Sequence, residues 1–360
     1  MARAWLDKNE SPKDVPEELK QRILELARGT DFARYEGPYL DRLRDKLGAV
    51  NSVDKTNLLL GSGSDECILI LCLAFGGPGT RVIIASPTFA TYKDAATWSH
   101  STVVDVPRLM PDFRLDADRV LEEVASADVS CPPKKQFASI VFVCRPNNPT
   151  GSICPEEDVR RLLAAPRCLV VVDEAYYEFS GLTLAPWISS YSNVIVLRTF
   201  SKAYSIAGLR VGYVIAPEPL ATVMERRRLP YNISLFSQLS ALVVLQEEQY
   251  FLRWARELRQ AGEDLQSRLA SLPGAKVWPS TTNFILFATP SPSGRVHSML
   301  QERGIMVRRY PGEPLLADHH LRVSVGSPQA NAAFMQELAA VLNGLSQQAE
   351  SPARTPCAGR

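Results

Sequence analysis

A chain of 360 residues exceeds one ordinary compact domain, so a large domain with a smaller companion is the expected plan. With 46% hydrophobic and 22% charged residues and no apolar run long enough to span a bilayer, the composition describes a soluble globular protein and excludes a membrane-spanning one. Forty basic against thirty-nine acidic side chains leave a formal charge of +1, which removes any general attraction to nucleic acid or anionic lipid and leaves anionic ligands to a local site.

The opening Met1-Ala2-Arg3-Ala4-Trp5-Leu6-Asp7-Lys8-Asn9-Glu10 has no signal-peptide core and carries acids too early for a transit peptide; a cytoplasmic location is the expectation. From about residue 58 to 215, short β-branched runs alternate with helical stretches, the mark of an α/β domain on a mostly parallel sheet, here placed within residues 31–246. Seven strands are predicted, at Leu58–Leu60, Arg81–Ala85, Thr102–Val106, Ser139–Cys144, Cys168–Asp173, Asn193–Thr199 and Val211–Ala216. Runs such as Leu169-Val170-Val171-Val172 do not alternate, as befits strands covered on both faces. A charged amphipathic helix from Glu247 to Leu269 then leads into a smaller α/β domain, residues 247–345. Its predicted elements are a strand at Asn283–Phe287, a helix at Gly294–Arg303, strands at Ile305–Arg309 and His320–Val325, and a closing helix at Pro328–Leu342. Residues 346–360 are polar with two prolines and are expected to be a disordered tail. The seven cysteines show no C-x-x-C spacing and the four histidines do not pair with them, so no metal site is expected.

Ligands of such sheets bind beyond the carboxyl ends of the strands, and four strand ends carry unusual residues. Gly61-Ser62-Gly63-Ser64-Asp65-Glu66 opens a helix whose free N–H groups suit an anion, although an isolated turn of this kind is equally an N-cap at Ser64. Arg145-Pro146-Asn147-Asn148-Pro149-Thr150-Gly151 is a rigid turn presenting the Asn148 amide, and also what any Asn-Pro-Gly loop looks like. Asp173, closing an apolar strand in Asp173-Glu174-Ala175-Tyr176, calls for a cationic partner such as a protonated pyridine nitrogen, or is a helix cap. Arg198-Thr199-Phe200-Ser201-Lys202-Ala203, followed by Gly208-Leu209-Arg210, offers a desolvated lysine with two hydroxyls and a guanidinium for a phosphate; most lysines are merely solvated. Four bland explanations holding at once, in order, along one sheet is an improbable coincidence.

With these motifs in place the chain resembles the fold-type I aminotransferases over nearly all of residues 5–342. That resemblance implies pyridoxal 5'-phosphate carried as a Schiff base on Lys202, which also moves the substrate α-proton. It implies Asp173 on the pyridinium nitrogen, Tyr176 and Asn148 on the ring oxygen, and Tyr92 stacked on the ring. Ser64, Asp65, Thr199, Ser201 and Arg210 would hold the phosphate, joined by Tyr35 of a second subunit in a homodimer with shared sites. Residues 1–30 would be an N-terminal arm and small-domain segment. Arg322, in Leu321-Arg322-Val323-Ser324-Val325-Gly326, would clamp the substrate carboxylate, as guanidinium suits it better than lysine.

Within this class the sequence is most similar to the histidinol-phosphate aminotransferases. The similarity lies in Leu6-Asp7-Lys8-Asn9-Glu10, Arg34-Tyr35, Asp173-Glu174-Ala175-Tyr176-Tyr177-Glu178-Phe179 and Arg228-Leu229-Pro230-Tyr231-Asn232-Ile233-Ser234. It implies ping-pong transamination between a small-molecule amino donor, glutamate, and a keto acceptor. Arg308, Asn9 and Asn148 would join Arg322 at the substrate. Arg145 and Ser11 depart from the subfamily pattern. An aromatic amino-acid aminotransferase, a threonine-phosphate decarboxylase and a non-enzymatic cofactor-sensing domain are the alternatives.

Overall fold

The computed structural model describes residues 3–35, 37–130 and 135–350. Its strands are β1 (Ala4–Trp5), β2 (Leu58–Gly61), β3 (Arg81–Ile84), β4 (Thr102–Asp105), β5 (Ser139–Cys144), β6 (Cys168–Asp173), β7 (Val194–Thr199), β8 (Gly212–Ile215), β9 (Lys276–Val277), β10 (Phe284–Ala288), β11 (Ile305–Met306), β12 (Arg308–Arg309) and β13 (His320–Ser324). Seven of them form one sheet in the order β2-β8-β7-β6-β5-β3-β4. The ladders from β7 to β4 are parallel, whereas β8 runs antiparallel to both neighbours. This is the mostly parallel seven-stranded α/β sheet that the sequence predicts.

The lack of alternation in these strands has its cause in burial on both sides. Val141, Val143, Val170, Val172, Val194 and Val196 face one apolar layer. Their neighbours Ile140, Phe142, Leu169, Val171, Ile195 and Leu197 face the other. Helices Gly63–Phe75, Thr91–Trp98 and Glu218–Glu225 cover the second layer with Cys67, Leu71, Ala95 and Met224. Helices Tyr39–Asn51, Glu156–Ala164 and Leu235–Gln246 cover the first. Every residue from Ser237 to Leu245 is buried, so the last of these is the all-round apolar helix expected inside a larger protein.

Register places the strand ends that matter. Asp173 of β6 lies opposite Cys144 of β5, one residue before the Arg145–Gly151 turn. Gly61, Gly212 and Thr199 form one row across β2, β8 and β7, because antiparallel β8 begins where its neighbours end.

Helix Glu248–Ala270 leads to a four-stranded antiparallel sheet, β12-β13-β10-β9, covered by helices Ser293–Glu302 and Pro328–Glu350. Three details differ from the sequence reading. The strand expected at Ile305–Arg309 is split: β11 pairs in parallel with β1 of the arm, and β12 pairs with β13. The short strands β1 and β9 were not anticipated, being too brief to show a period. The closing helix continues past Leu342 to Glu350, so the expected tail is helical over residues 346–350; Leu345, buried in the core, anchors this extension. Residues 351–360, also assigned to that tail, lie outside the described residues.

Among the described residues no helix is long and apolar enough to cross a membrane, and no group of His, Cys, Asp or Glu is spaced to hold a metal ion. The cysteines at 67, 72, 144, 154 and 168 are free and buried.

Candidate active site

A cavity of about 680 Å³ opens at the carboxyl edge of the large sheet, closed on the far side by β12, β13 and the arm. Lys202, three residues after the end of β7, reaches into it half-buried and donates from Nζ to the Lys8 carbonyl at 3.2 Å. Burial, the Arg322 charge and, behind them, Arg210 lower its pKa to about 8, against the opposing pull of Glu10 and Asp65. A useful fraction of neutral, nucleophilic amine therefore exists near neutrality.

Asp173 is the last residue of β6 and 3% exposed. Its Oδ1 accepts from the Ala175 amide at 2.9 Å and its Oδ2 from the Tyr92 hydroxyl at 2.5 Å. Burial still raises the carboxyl to about 6, the two hydrogen bonds only moderating it. A buried carboxylate in this condition is stabilised by a cation brought to it.

Tyr92 stands elsewhere than the sequence reading placed it. It is fully buried beneath the cavity floor, stacked on Phe142 at 4.4 Å between centroids, with its hydroxyl committed to Asp173. Helix Thr91–Trp98 turns that face toward the sheet, and Phe89, three residues earlier, lines the cavity instead. Pro87-Thr88-Phe89-Ala90-Thr91-Tyr92 offers two aromatics, and nothing local says which one faces the ligand.

At one end of the cavity Gly63 takes φ +79° and starts helix Gly63–Phe75, so that Ser64 and Asp65 sit in its first turn. The Asp65 carboxylate is held aside by Arg210 Nη2 at 2.7 Å, which answers how an acid can sit in an anion cradle. Arg210 Nη1 reaches the Ser201 hydroxyl at 3.4 Å, and Thr199 Oγ1 donates to Ser201 Oγ at 3.0 Å. Glu66 accepts from the Ser62 amide at 2.5 Å and from Asn232 at 2.6 Å, fixing the turn from behind. A helix start, two hydroxyls and a guanidinium thus converge on one place suited to a phosphate.

At the other end, Arg322 of β13 donates from Nη1 to Asn148 Oδ1 and from Nη2 to the Asp7 carbonyl, each at 2.6 Å. Arg308 faces Arg322 across the β12–β13 ladder, and Tyr310 lies 5.9 Å from each guanidinium. Tyr176 is buried with its hydroxyl accepting from Asn9 Nδ2 at 2.9 Å.

The cavity therefore brings together Lys202, Asp173, Tyr176, Ser64, Asp65, Asn148, Thr199, Ser201, Arg210, Arg322, Arg308 and Asn9. Tyr35 is not among them: it is 78% exposed and stacked on Tyr231 at 4.7 Å. Arg145 is turned away, its Nε donating to the Cys154 carbonyl at 2.9 Å, and serves the turn rather than the cavity. Asn147, buried beside Asn148, clasps the loop through the Pro87 carbonyl, Thr88 and Thr150, a role the sequence reading did not give it. The Glu174–Arg198 pair, fully buried at 2.9 Å, was likewise missed. An arginine inside an apolar strand was its available signal.

The protein-family comparison matches residues 4–340 to "Aminotransferase class I and II". The histidinol-phosphate aminotransferase of Ruminiclostridium cellulolyticum is 36% identical over 339 residues, 93% of this chain and 92% of that protein. That of Thermococcus kodakarensis is 37% identical over 338 residues, with the same coverage. A crystal structure of histidinol-phosphate aminotransferase from Sinorhizobium meliloti in complex with pyridoxal-5'-phosphate superposes with a TM-score of 0.85 at 24% identity, covering 96% of this chain and 92% of that one. With the whole fold matched and these identities spanning nearly its entire length, the chain belongs to the class I and II aminotransferases, and among them to the histidinol-phosphate aminotransferase family.

Proposed function

We propose that this chain is a pyridoxal-phosphate-dependent transaminase that moves an amino group between glutamate and the keto form of histidinol phosphate, in histidine biosynthesis. The observation that carries the reading is the pair Lys202 and Asp173. They face one cavity with proton affinities displaced in opposite senses, beside the cradle formed by Ser64, Ser201 and Arg210. The donor set fits the cofactor part by part. Asp173 would hold the proton on its ring nitrogen, Tyr176 and Asn148 would bond its ring oxygen, and Phe89 would cover its face. Ser64, Asp65, Thr199, Ser201 and Arg210 would bind its phosphate. When bound, the cofactor supplies an electron sink for the substrate α-carbon. Lys202 takes the α-proton and returns it, acting as the general base.

Arg322 would exchange its Asn148 and Asp7 partners for the substrate carboxylate or phosphate, with Arg308 beside it and Asn9 close by. We place the enzyme in the cytoplasm, in keeping with its buried free cysteines, as a homodimer in which the partner subunit's Tyr35 completes the phosphate site.

The test is spectroscopic and kinetic. Wild-type protein loaded with pyridoxal phosphate shows a visible band and transaminates histidinol phosphate; Lys202→Ala loses both after dialysis. Histidinol phosphate is preferred over phenylalanine by at least about 10²-fold in kcat/KM, because the shorter, singly charged carboxylate of phenylalanine leaves Arg322 and Arg308 less fully paired than a phosphate does. Preference for phenylalanine would reassign the chain to aromatic transamination. CO2 release from a phosphorylated amino acid would reassign it to decarboxylation.

A further inference from the structure

Asn9 of the arm is held by four hydrogen bonds, one of which ends on Tyr176. It is 1% exposed and held at φ +55°, in the left-handed region that asparagine tolerates better than most residues. Its backbone N–H donates to Ser324 Oγ at 2.8 Å and its carbonyl accepts from Asn283 Nδ2 at 3.0 Å. Ser324 Oγ, already accepting from that N–H, returns its own proton to Asn9 Oδ1 at 3.1 Å. Oδ1 is thereby the acceptor end of the amide, and Nδ2, which can only donate, is left facing the Tyr176 hydroxyl at 2.9 Å. A phenol that accepts one hydrogen bond keeps its own proton for another acceptor, and donates it more strongly for having accepted.

We infer that Asn9 is a positioning residue for Tyr176: its amide fills one lone pair of the phenol and leaves the phenolic proton aimed into the cavity for the cofactor's ring oxygen. This role rests on the cofactor reading above. It differs from direct contact with substrate, and it makes docking of the arm a condition for the electronic state of the cofactor. Two strands of the small sheet share in it, β13 through Ser324 and the approach to β10 through Asn283. The Asn9 bond and the Arg322 charge both pull the Tyr176 hydroxyl toward greater acidity, against the larger effect of burial.

The test is a pH titration of the visible band in the protein loaded with pyridoxal phosphate. Asn9→Gly removes the donor and keeps the positive φ without strain. Weaker donation to the ring oxygen raises the midpoint by about half a unit. Tyr176→Phe raises it further. The double variant stays at the Tyr176→Phe value, since both changes act through one hydroxyl. Ser324→Ala, which removes the partner of both the Asn9 N–H and its Oδ1 but keeps the Asn9 amide and its Asn283 bond, shifts the midpoint the same way by less, and thermal unfolding confirms that all four variants are folded. An unmoved midpoint in Asn9→Gly, or a double variant whose shift is the sum of the singles, would overturn the role while leaving the cofactor reading intact. Absence of any Lys202-dependent band would overturn the cofactor reading and the role with it.

Discussion

Two ionisable side chains of the cavity are displaced by burial in opposite directions, and each makes a different prediction. Asp173 has its folded value raised to about 6. The stability it lends the cofactor-free protein is therefore present below the unfolded value of about 4 and lost as pH rises through about 6. Above that window the fold carries a buried carboxylate that has no ion-pair partner among the described residues. Asp173→Asn removes this burden, so in urea unfolding of the cofactor-free protein the variant gains on wild type between pH 4 and pH 7. The same variant loses about 10²–10³-fold in kcat/KM, because an amide cannot stabilise a pyridinium as a carboxylate does. A variant that kept full activity would remove Asp173 from the ring nitrogen. For Lys202 the lowered value, about 8, places the amine where it is half neutral in mildly alkaline buffer. In the sequence Asp173 and Lys202 stood out because the first ends a recognisable strand and the second closely follows one. Nothing local showed that Tyr92 would be consumed by Asp173, which depends on how a helix packs on the sheet.

Among the elements, the row Gly61, Gly212 and Thr199 shapes the cradle most directly. A Cβ at Gly212 would fall inside contact distance of the Ser64 amide nitrogen and the Gly63 carbonyl carbon, both rigid backbone. Gly212→Ala is expected to cost about 1–3 kcal/mol in urea unfolding, the usual range for overpacking. It also pushes the helix start away from the phosphate, lowering pyridoxal-phosphate affinity in equilibrium titration. Unchanged affinity would mean that the first turn of helix Gly63–Phe75 does not bind the phosphate. The central strands of the large sheet, β5 to β7, were legible because burial on both faces leaves an unbroken apolar run. The split between β11 and β12 was not legible. Val307 separates two pairs of residues that bond to different partners, the arm on one side and β13 on the other.

At the scale of the molecule, the exposed Tyr35 and Tyr231 stack on each other, with Phe32 and Leu229 exposed close to them in the chain. The proposed homodimer would cover them and carry Tyr35 to the partner's cavity. Mixing Lys202→Ala with Tyr35→Ala tests this. In a dimer with shared sites, one site of each mixed dimer has both an intact lysine and an intact tyrosine, so a random mixture recovers roughly a quarter of wild-type activity. If Tyr35 serves its own subunit, the mixture gains nothing over the separate variants. The arm adds a second long-range dependence, since Asp7, Lys8 and Asn9 are bonded by Arg322, Lys202 and Tyr176 in turn.

The sequence by itself determined the layered α/β sheet, its strand positions and the residues at the strand ends. Periodicity and turn chemistry are written in a few consecutive residues, and a strand end cannot be separated from the strand that precedes it. Tertiary structure alone decided which of Phe89 and Tyr92 faces the cavity and that Arg145 turns away toward Cys154. It also decided that Arg198 closes on Glu174, and that Asn9 returns across 315 positions to Ser324 to reach Tyr176. Each of these depends on the register and packing of segments far apart in the chain, for which no local pattern carries a signal.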